Sequence, residues 1–181
     1  MAFNHHADLN PHQQYRIKKL KRELNRAETY AEWKEIALSL DQETGAQEWK
    51  YDNSSPYFDA EIISHRLNML RRYKLQNRVV DLIYILREGL SHDVANIGHP
   101  MLFTQTYVGT KKIIEDYIHE VCESLIFIAS QKCDSLSIKE KIEFFQNCQL
   151  AYGQPAMMFS GGASLGLFHT GVCKALMEQD L

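Results

Sequence analysis

Across residues 13–40 the apolar side chains Ile17, Leu20, Leu24, Ala27, Ala31, Ile36, Ala37 and Leu40 recur at helical spacing. They predict a helix with one apolar stripe and Trp33 beside it. Thr44-Gly45 ends that pattern, with glycine at the position just past a helix. Aromatics then alternate with turn formers over residues 47–58, which predicts a loop pinned against helices by Trp49, Tyr51, Tyr57 and Phe58. Ser55-Pro56 is a helix start signal. Phe58, Ile62, Ile63, Leu67, Leu70 and Tyr73 give the buried face of the next helix, with His65 near that face as a structural histidine. Asn77 caps a further helix lined by Val79, Leu82, Ile83 and Leu86 and stopped by Gly89. Residues 91–106 have little periodicity, and a loop of that length is either pinned or functional. Thr106 or Gly109-Thr110 opens a long helix to about Gln131, striped by Ile114, Tyr117, Ile118, Val121, Leu125 and Ile128. Ser137 and Glu140 form a capping box for a helix carrying Ile142, Phe145 and Leu150. After Gly153-Gln154-Pro155 the period changes. A short apolar run at 156–159 meets Ser160-Gly161-Gly162, and a helical pattern resumes near Leu165 with Phe168, Val172, Ala175, Leu176 and Gln179. Strand, glycine-rich turn, helix is the expectation there.

The chain thus reads as mainly α. A disordered arm over 1–14 precedes an all-helical region over 15–153, and 154–181 begins a second domain with its first βα unit. With 181 residues, 45% of them hydrophobic, there is enough for a sizeable core. The net charge of −3 argues against a dedicated nucleic-acid binder. Cys122, Cys133, Cys148 and Cys173 form no C-x-x-C pair, so they read as buried free thiols of a reducing compartment, not a zinc site or a disulfide framework. His5, His6 and His12 have no clustered carboxylates or thiols to complete a metal tract. The start lacks an apolar signal core, and no stretch approaches the ~20 apolar residues of a spanning helix, so a soluble or peripheral protein is expected. The pattern is still helical at Leu181, which predicts a piece of a longer protein. Against the mild overall charge one local patch stands out: Arg16, Lys18, Lys19, Lys21, Arg22 and Arg26. It reads either as a membrane-surface segment or as the solvated face of an ordinary helix.

The chemistry concentrates in the last glycine-rich turn. Bare peptide N–H groups at a helix N-terminus favour an oxyanion or a phosphate. No lysine follows the glycines, which removes a P-loop, and the order of Gly161, Gly162 and Gly166 is not that of a dinucleotide fingerprint. Gly162-Ala163-Ser164-Leu165-Gly166 matches the G-x-S-x-G nucleophile elbow, which makes Ser164 a candidate nucleophile. As such it needs an Asp and a His after it in that order, whereas His169 precedes Asp180 and both lie on the same short helix. A purely structural glycine turn is the third reading.

Ser-Gly-Gly-Ala-Ser-Leu-Gly at 160–166, followed by Leu-Phe-His-x-Gly-Val-x-Lys-Ala-Leu, resembles the first strand, glycine-rich loop and first helix of the patatin-like acyl hydrolases. The resemblance implies that backbone N–H groups around Gly161, Gly162, Ala163 and Gly166 form an oxyanion hole. It also implies that the nucleophilic serine and its Asp lie further along, so that no catalytic residue falls within these 181. Ala163 replaces the family's third glycine, and alanine fits such a loop only at negative φ. The helical part also carries a resemblance. Glu32-Trp33-Lys34-Glu35-Ile36-Ala37, Glu48-Trp49-Lys50-Tyr51, Ser55-Pro56-Tyr57, Leu86-Arg87-Glu88-Gly89-Leu90, Asn96-Ile97-Gly98 and Tyr107-Val108-Gly109-Thr110-Lys111 resemble the N-terminal domain of fungal and plant intracellular triacylglycerol lipases. In that family this domain directly precedes a patatin-like catalytic domain. The likeness implies a serine hydrolase of acylglycerol or phospholipid esters. It would need no metal or organic cofactor, and would sit on the cytoplasmic side as a peripheral protein of a lipid droplet or the endoplasmic reticulum membrane. A non-enzymatic helical module that docks on membranes or a partner is the rival expectation.

Overall fold

The computed structural model describes residues 10–89, 94–131, 136–152, 157–159 and 161–178. The described residues are mainly α-helical and include no strand. They fall into two compact units, residues 1–47 with 155–181, and residues 48–154.

In the first unit the long helix expected over 13–40 is two helices, α1 (Pro11–Leu24) and α2 (Tyr30–Glu43). Each has its own N-cap. Asn10 accepts from the Gln13 N–H at 2.8 Å, and the Gln13 side chain accepts in return from the Asn10 N–H at 3.2 Å. This capping box sets the start of α1 inside the expected disordered arm. Thr29 accepts from the Glu32 N–H at 3.2 Å and restarts the helix. The chain between them reverses, so α1 packs on α2 with Ile17, Ala37 and Leu40 buried. Gly45 follows the C-cap Thr44 with φ 76, as glycine past a helix end should. The same unit holds α8 (Phe168–Met177), which ties back to the start of α2: the Tyr30 N–H donates to Glu178 Oε2 at 2.7 Å and Lys174 Nζ to the Glu28 carbonyl at 2.6 Å. Of the strand expected over 156–159, the described residues 157–159 form no strand. Met157, Met158 and Phe159 have no regular structure and are exposed, since a strand needs a pairing partner and the described residues supply none. Ala156 and the expected boundary at Gly153-Gln154-Pro155 lie outside the described residues.

The second unit contains α4 (Ala60–Leu75), α5 (Val79–Glu88), α6 (Lys112–Ser130) and α7 (Ile138–Tyr152), preceded by the short α3 (Ala46–Tyr51). α4 packs against both α5 and α6. Ile63, Leu70, Leu82, Leu102, Ile114, Ile128 and Phe144 are the centre of its core. Each such side chain contributes roughly 1.5–3 kcal/mol by leaving water. Ser55-Pro56 does not start α4. Asp59 does, accepting from the Glu61 and Ile62 N–H groups at 3.0 Å. Asn77 is not the cap of α5. It closes α4 at φ 54, with Arg78 N–H donating to the Tyr73 carbonyl at 2.9 Å and Asn77 N–H to that of Lys74 at 3.1 Å. That is a Schellman closure, and its left-handed position suits an Asn. Ser137 and Glu140 do cap α7 reciprocally, at 2.8 and 3.2 Å. His65 is exposed, not packed on the buried side. On α6 the buried line runs through Ile114, Tyr117, Glu120, Ser124 and Ile128, and Ile118 faces out. Lys74 Nζ at 2.5 Å and Arg71 Nε at 3.4 Å, both from α4, neutralise Glu120, so the stripe tolerates a carboxylate. Among the cysteines Cys148 is buried, and burial pushes its thiol up; Cys122 is exposed, contrary to expectation, and Cys133 lies outside the described residues. Among the described residues no helix is long and apolar enough to cross a membrane.

Candidate functional site

Three places carry the residues singled out in the sequence. The first is the glycine loop. Gly161 and Gly162 lead into a 3-10 turn, Ala163–Leu167, which runs directly into α8. Gly161, Gly162, Ala163 and Ser164 are all exposed; Ser160 lies outside the described residues. A Cβ added at Gly161 or Gly166 would meet nothing within 4 Å, so packing among the described residues does not demand glycine at either position. The conformational demand falls on Ala163. Its φ is 50, in the left-handed region where a side chain costs about 1–2 kcal/mol. The sequence allows alanine only at negative φ; here the turn into the helix imposes the glycine conformation on it. Ala163→Gly should therefore tighten the turn. Amide exchange over residues 161–168 should slow by about fivefold, the equivalent of ~1 kcal/mol of local stability. Faster exchange in the glycine variant would show the turn is not strained. His169 lies against the Phe159 ring, with centroids 4.8 Å apart, and Asp180 lies outside the described residues. A largely apolar groove of about 580 Å³ is lined by Phe159, His169, Cys173 and Met177.

The second place was not foreseen as a site. Four of the motifs that carried the helical resemblance, at 48–51, 55–57, 96–98 and 107–111, are far apart in sequence, yet they fall together in the second unit. Lys111, one residue before α6, is fully buried. Its ammonium donates to the Trp49 carbonyl at 2.7 Å and the Asp52 carbonyl at 2.6 Å, and sits 4.1 Å from the centroid of the Trp49 ring. Burial pulls its pKa below the usual lysine value, and the nearby Asp52 pulls the other way. Beside it Lys50, also buried, pairs with Glu115 at 3.4 Å. Glu115 Oε1 additionally accepts from the Thr110 N–H at 3.0 Å. Gly109 has φ 74 and lets the chain pass close over that carboxylate. Thr110 Oγ1 donates to the Leu102 carbonyl at 2.6 Å. The next layer holds the aperiodic segment: Asn96 donates to the Tyr57 carbonyl at 2.6 Å, Asp59 N–H to the Ala95 carbonyl at 3.0 Å, and Tyr57 stacks on His99 at 4.8 Å. Of the pinned and functional readings of that loop, the described residues 94–106 match the pinned one. With its ammonium turned to backbone carbonyls and an indole face, Lys111 ties α3 and the loop after it to the start of α6. The signal that could have found it is period: extending the α6 stripe one turn back from Ile114 lands on Lys111.

The third place is the basic patch. Arg16, Lys18, Lys19, Lys21, Arg22 and Arg26 are all exposed. Arg16 pairs with Glu43 at 3.1 Å and Lys19 with Glu23 at 3.7 Å. His12 is also exposed, and His5 and His6 lie outside the described residues.

Residues 11–150 match the family described as "Domain of unknown function (DUF3336)". The chain is 33% identical over 153 residues to the triacylglycerol lipase ptl1 of Schizosaccharomyces pombe, covering 84% of this chain and 28% of that protein. It is 34% identical over 167 residues to a triacylglycerol lipase of Arabidopsis thaliana, covering 92% and 20%. A "patatin-like phospholipase domain-containing protein" of Cryptococcus neoformans is 34% identical over 163 residues, covering 90% and 18%. The chain thus spans roughly a quarter of the length of the curated relatives it matches. An alignment that covers 92% of 181 residues takes in the glycine loop as well as the helices. No solved structure matches the chain.

Proposed function

The chain belongs to the DUF3336 family, and we propose that it is the N-terminal portion of a patatin-like serine acyl-ester hydrolase of the triacylglycerol lipase type. The observation that carries this is the match to proteins named triacylglycerol lipase over helices and glycine loop together. In this reading the second unit is a scaffold, held by the Lys111 and Glu115 clusters. The loop at Gly161, Gly162 and Ala163 turns its peptide N–H groups toward the carbonyl oxygen of a bound ester. A serine elsewhere in the whole protein attacks that carbonyl carbon, and negative charge builds on the oxygen. Each donor aimed at it lowers the barrier by about 3 kcal/mol. Neutral acylglycerols are the first substrate class, and phospholipids the second. The place of action would be the cytoplasmic face of a lipid droplet or of the endoplasmic reticulum membrane.

The test separates the loop from the elbow. Residues 1–181 alone should release no fatty acid from emulsified triacylglycerol or from a chromogenic short-chain ester. The whole protein should hydrolyse both, and Ser164→Ala in it should keep most of the activity. Hydrolysis by residues 1–181 that vanishes in Ser164→Ala would make Ser164 the nucleophile and overturn the assignment of this loop.

A further inference from the structure

The geometry of α1 points to a docking surface for an anionic phospholipid bilayer. Counting along the helix, Tyr15, Lys18, Lys19 and Arg22 fall at i, i+3, i+4 and i+7, a single face. Ile17, Leu20 and Leu24 fall on the opposite face, against which α2 packs, and Ile17 is buried. The outward face therefore holds three cations around a Tyr ring that is 70% exposed. Lys21 and Arg26 flank it. Over residues 11–26 there are six cations and one carboxylate, Glu23, in a chain whose net charge is −3. The positive charge is thus gathered on one helix instead of being balanced along it. Arg16 is committed to Glu43 on α2 and Lys19 is shared with Glu23, whereas Lys18, Lys21, Arg22 and Arg26 have no ion-pair partner among the described residues.

The charge pattern selects the occupant. A broad, flat negative surface engages one whole helix face at once, and each basic residue near it raises binding by about fivefold. The central Tyr adds what phosphate alone does not use, an amphipathic ring that settles at the headgroup level of a bilayer. The apolar stripe is already occupied by α2, so α1 lies on the surface by charge and one aromatic ring and does not insert. This deepens the lipase reading, and rests on it only for the supposition that the substrate is a lipid phase. Binding and hydrolysis are separate measurements, so either can fail without the other.

The experiment is cosedimentation of the 181-residue chain with vesicles of phosphatidylcholine, with and without phosphatidylserine, at low and at physiological ionic strength. Binding should require phosphatidylserine and fall with salt. The triple variant Lys18→Gln, Lys19→Gln, Arg22→Gln should bind about 100-fold more weakly, three steps of fivefold. Tyr15→Ser should weaken binding without changing its salt dependence. Glutamine keeps helix propensity at exposed positions, and far-ultraviolet circular dichroism of each variant checks that the fold is intact. No binding to the anionic vesicles at low ionic strength overturns the proposal. So does equal binding by the triple variant. Tighter binding to single-stranded RNA or to polyglutamate than to the vesicles would assign the face to another polyanion.

Discussion

Replacing Lys111 by alanine should lower the stability of the second unit by ~3 kcal/mol, a fall of roughly 6–12 °C in its thermal midpoint for a chain of this size. The Lys111 ammonium holds the carbonyls of Trp49 and Asp52 at 2.7 and 2.6 Å and faces the Trp49 ring. Hydrogen bonds from a charged donor contribute about 1.5–3 kcal/mol each, and a cation over an indole adds about 0.5–2. Keeping an ammonium fully buried offsets part of that total. Lys111→Met resolves the terms. It keeps the volume, removes the burial penalty and leaves the two carbonyls without this donor. If carbonyl capture dominates, the Met variant loses about 2 kcal/mol. A Met variant as stable as the wild type in thermal or urea unfolding would mean that Lys111 only fills space. The pH dependence has a definite sign. Burial depresses the folded pKa below 10.5, so between the depressed value and 10.5 the unfolded chain binds more protons. The stability contributed by this residue therefore rises as pH climbs through that window, and in Lys111→Met this increment should disappear.

The helices are legible because their signals are local. Gly45 past the end of α2, Gly89 at the end of α5 and the Ser137–Glu140 box need only neighbours a few residues away. The break at residues 25–29 is hidden because Leu24, Ala27 and Ala31 keep helical spacing across it; the Thr29 cap marks it. Asn77 misleads for a related reason: an Asn between two helices can close the first or open the second, and the Tyr73 and Lys74 carbonyls decide that. What compensates the buried polar residues is not legible, even where period marks the position itself. Glu120 is tolerable on the core side of α6 only because Arg71 and Lys74 arrive from α4, 49 and 46 positions earlier. Lys111 likewise depends on Trp49 and Asp52, whose carbonyls appear in no hydropathy pattern. The glycine loop is the converse case. Its glycines mark a turn before a helix, as they do in the structure, but the strained position is Ala163, where an ordinary side chain stands among them.

Gly109→Ala should be about as damaging as loss of Lys111, by a different route. Gly109 sits at φ 74, and a Cβ there costs about 1–2 kcal/mol in backbone terms alone. A Cβ there would also collide with Glu115 Oε1. Glu115 is the end of a flexible side chain and can swing away, but not without consequence. That oxygen accepts from the Thr110 N–H at 3.0 Å and faces Lys50 Nζ at 3.4 Å. Lys50 is buried, so moving the carboxylate leaves a cation with less compensation in a poorly hydrated place. The two terms together should destabilise the second unit by ~3 kcal/mol. A double-mutant cycle with Glu115→Ala tells them apart. Glu115→Ala removes the obstacle and the acceptor at once, so in that background Gly109→Ala retains only the backbone term. The coupling energy should then be about 1–2 kcal/mol, with the double variant more stable than the sum of the single losses allows. Strict additivity would place the whole effect in the left-handed backbone and leave Glu115 without a part in holding the turn that carries Lys111 to its carbonyls.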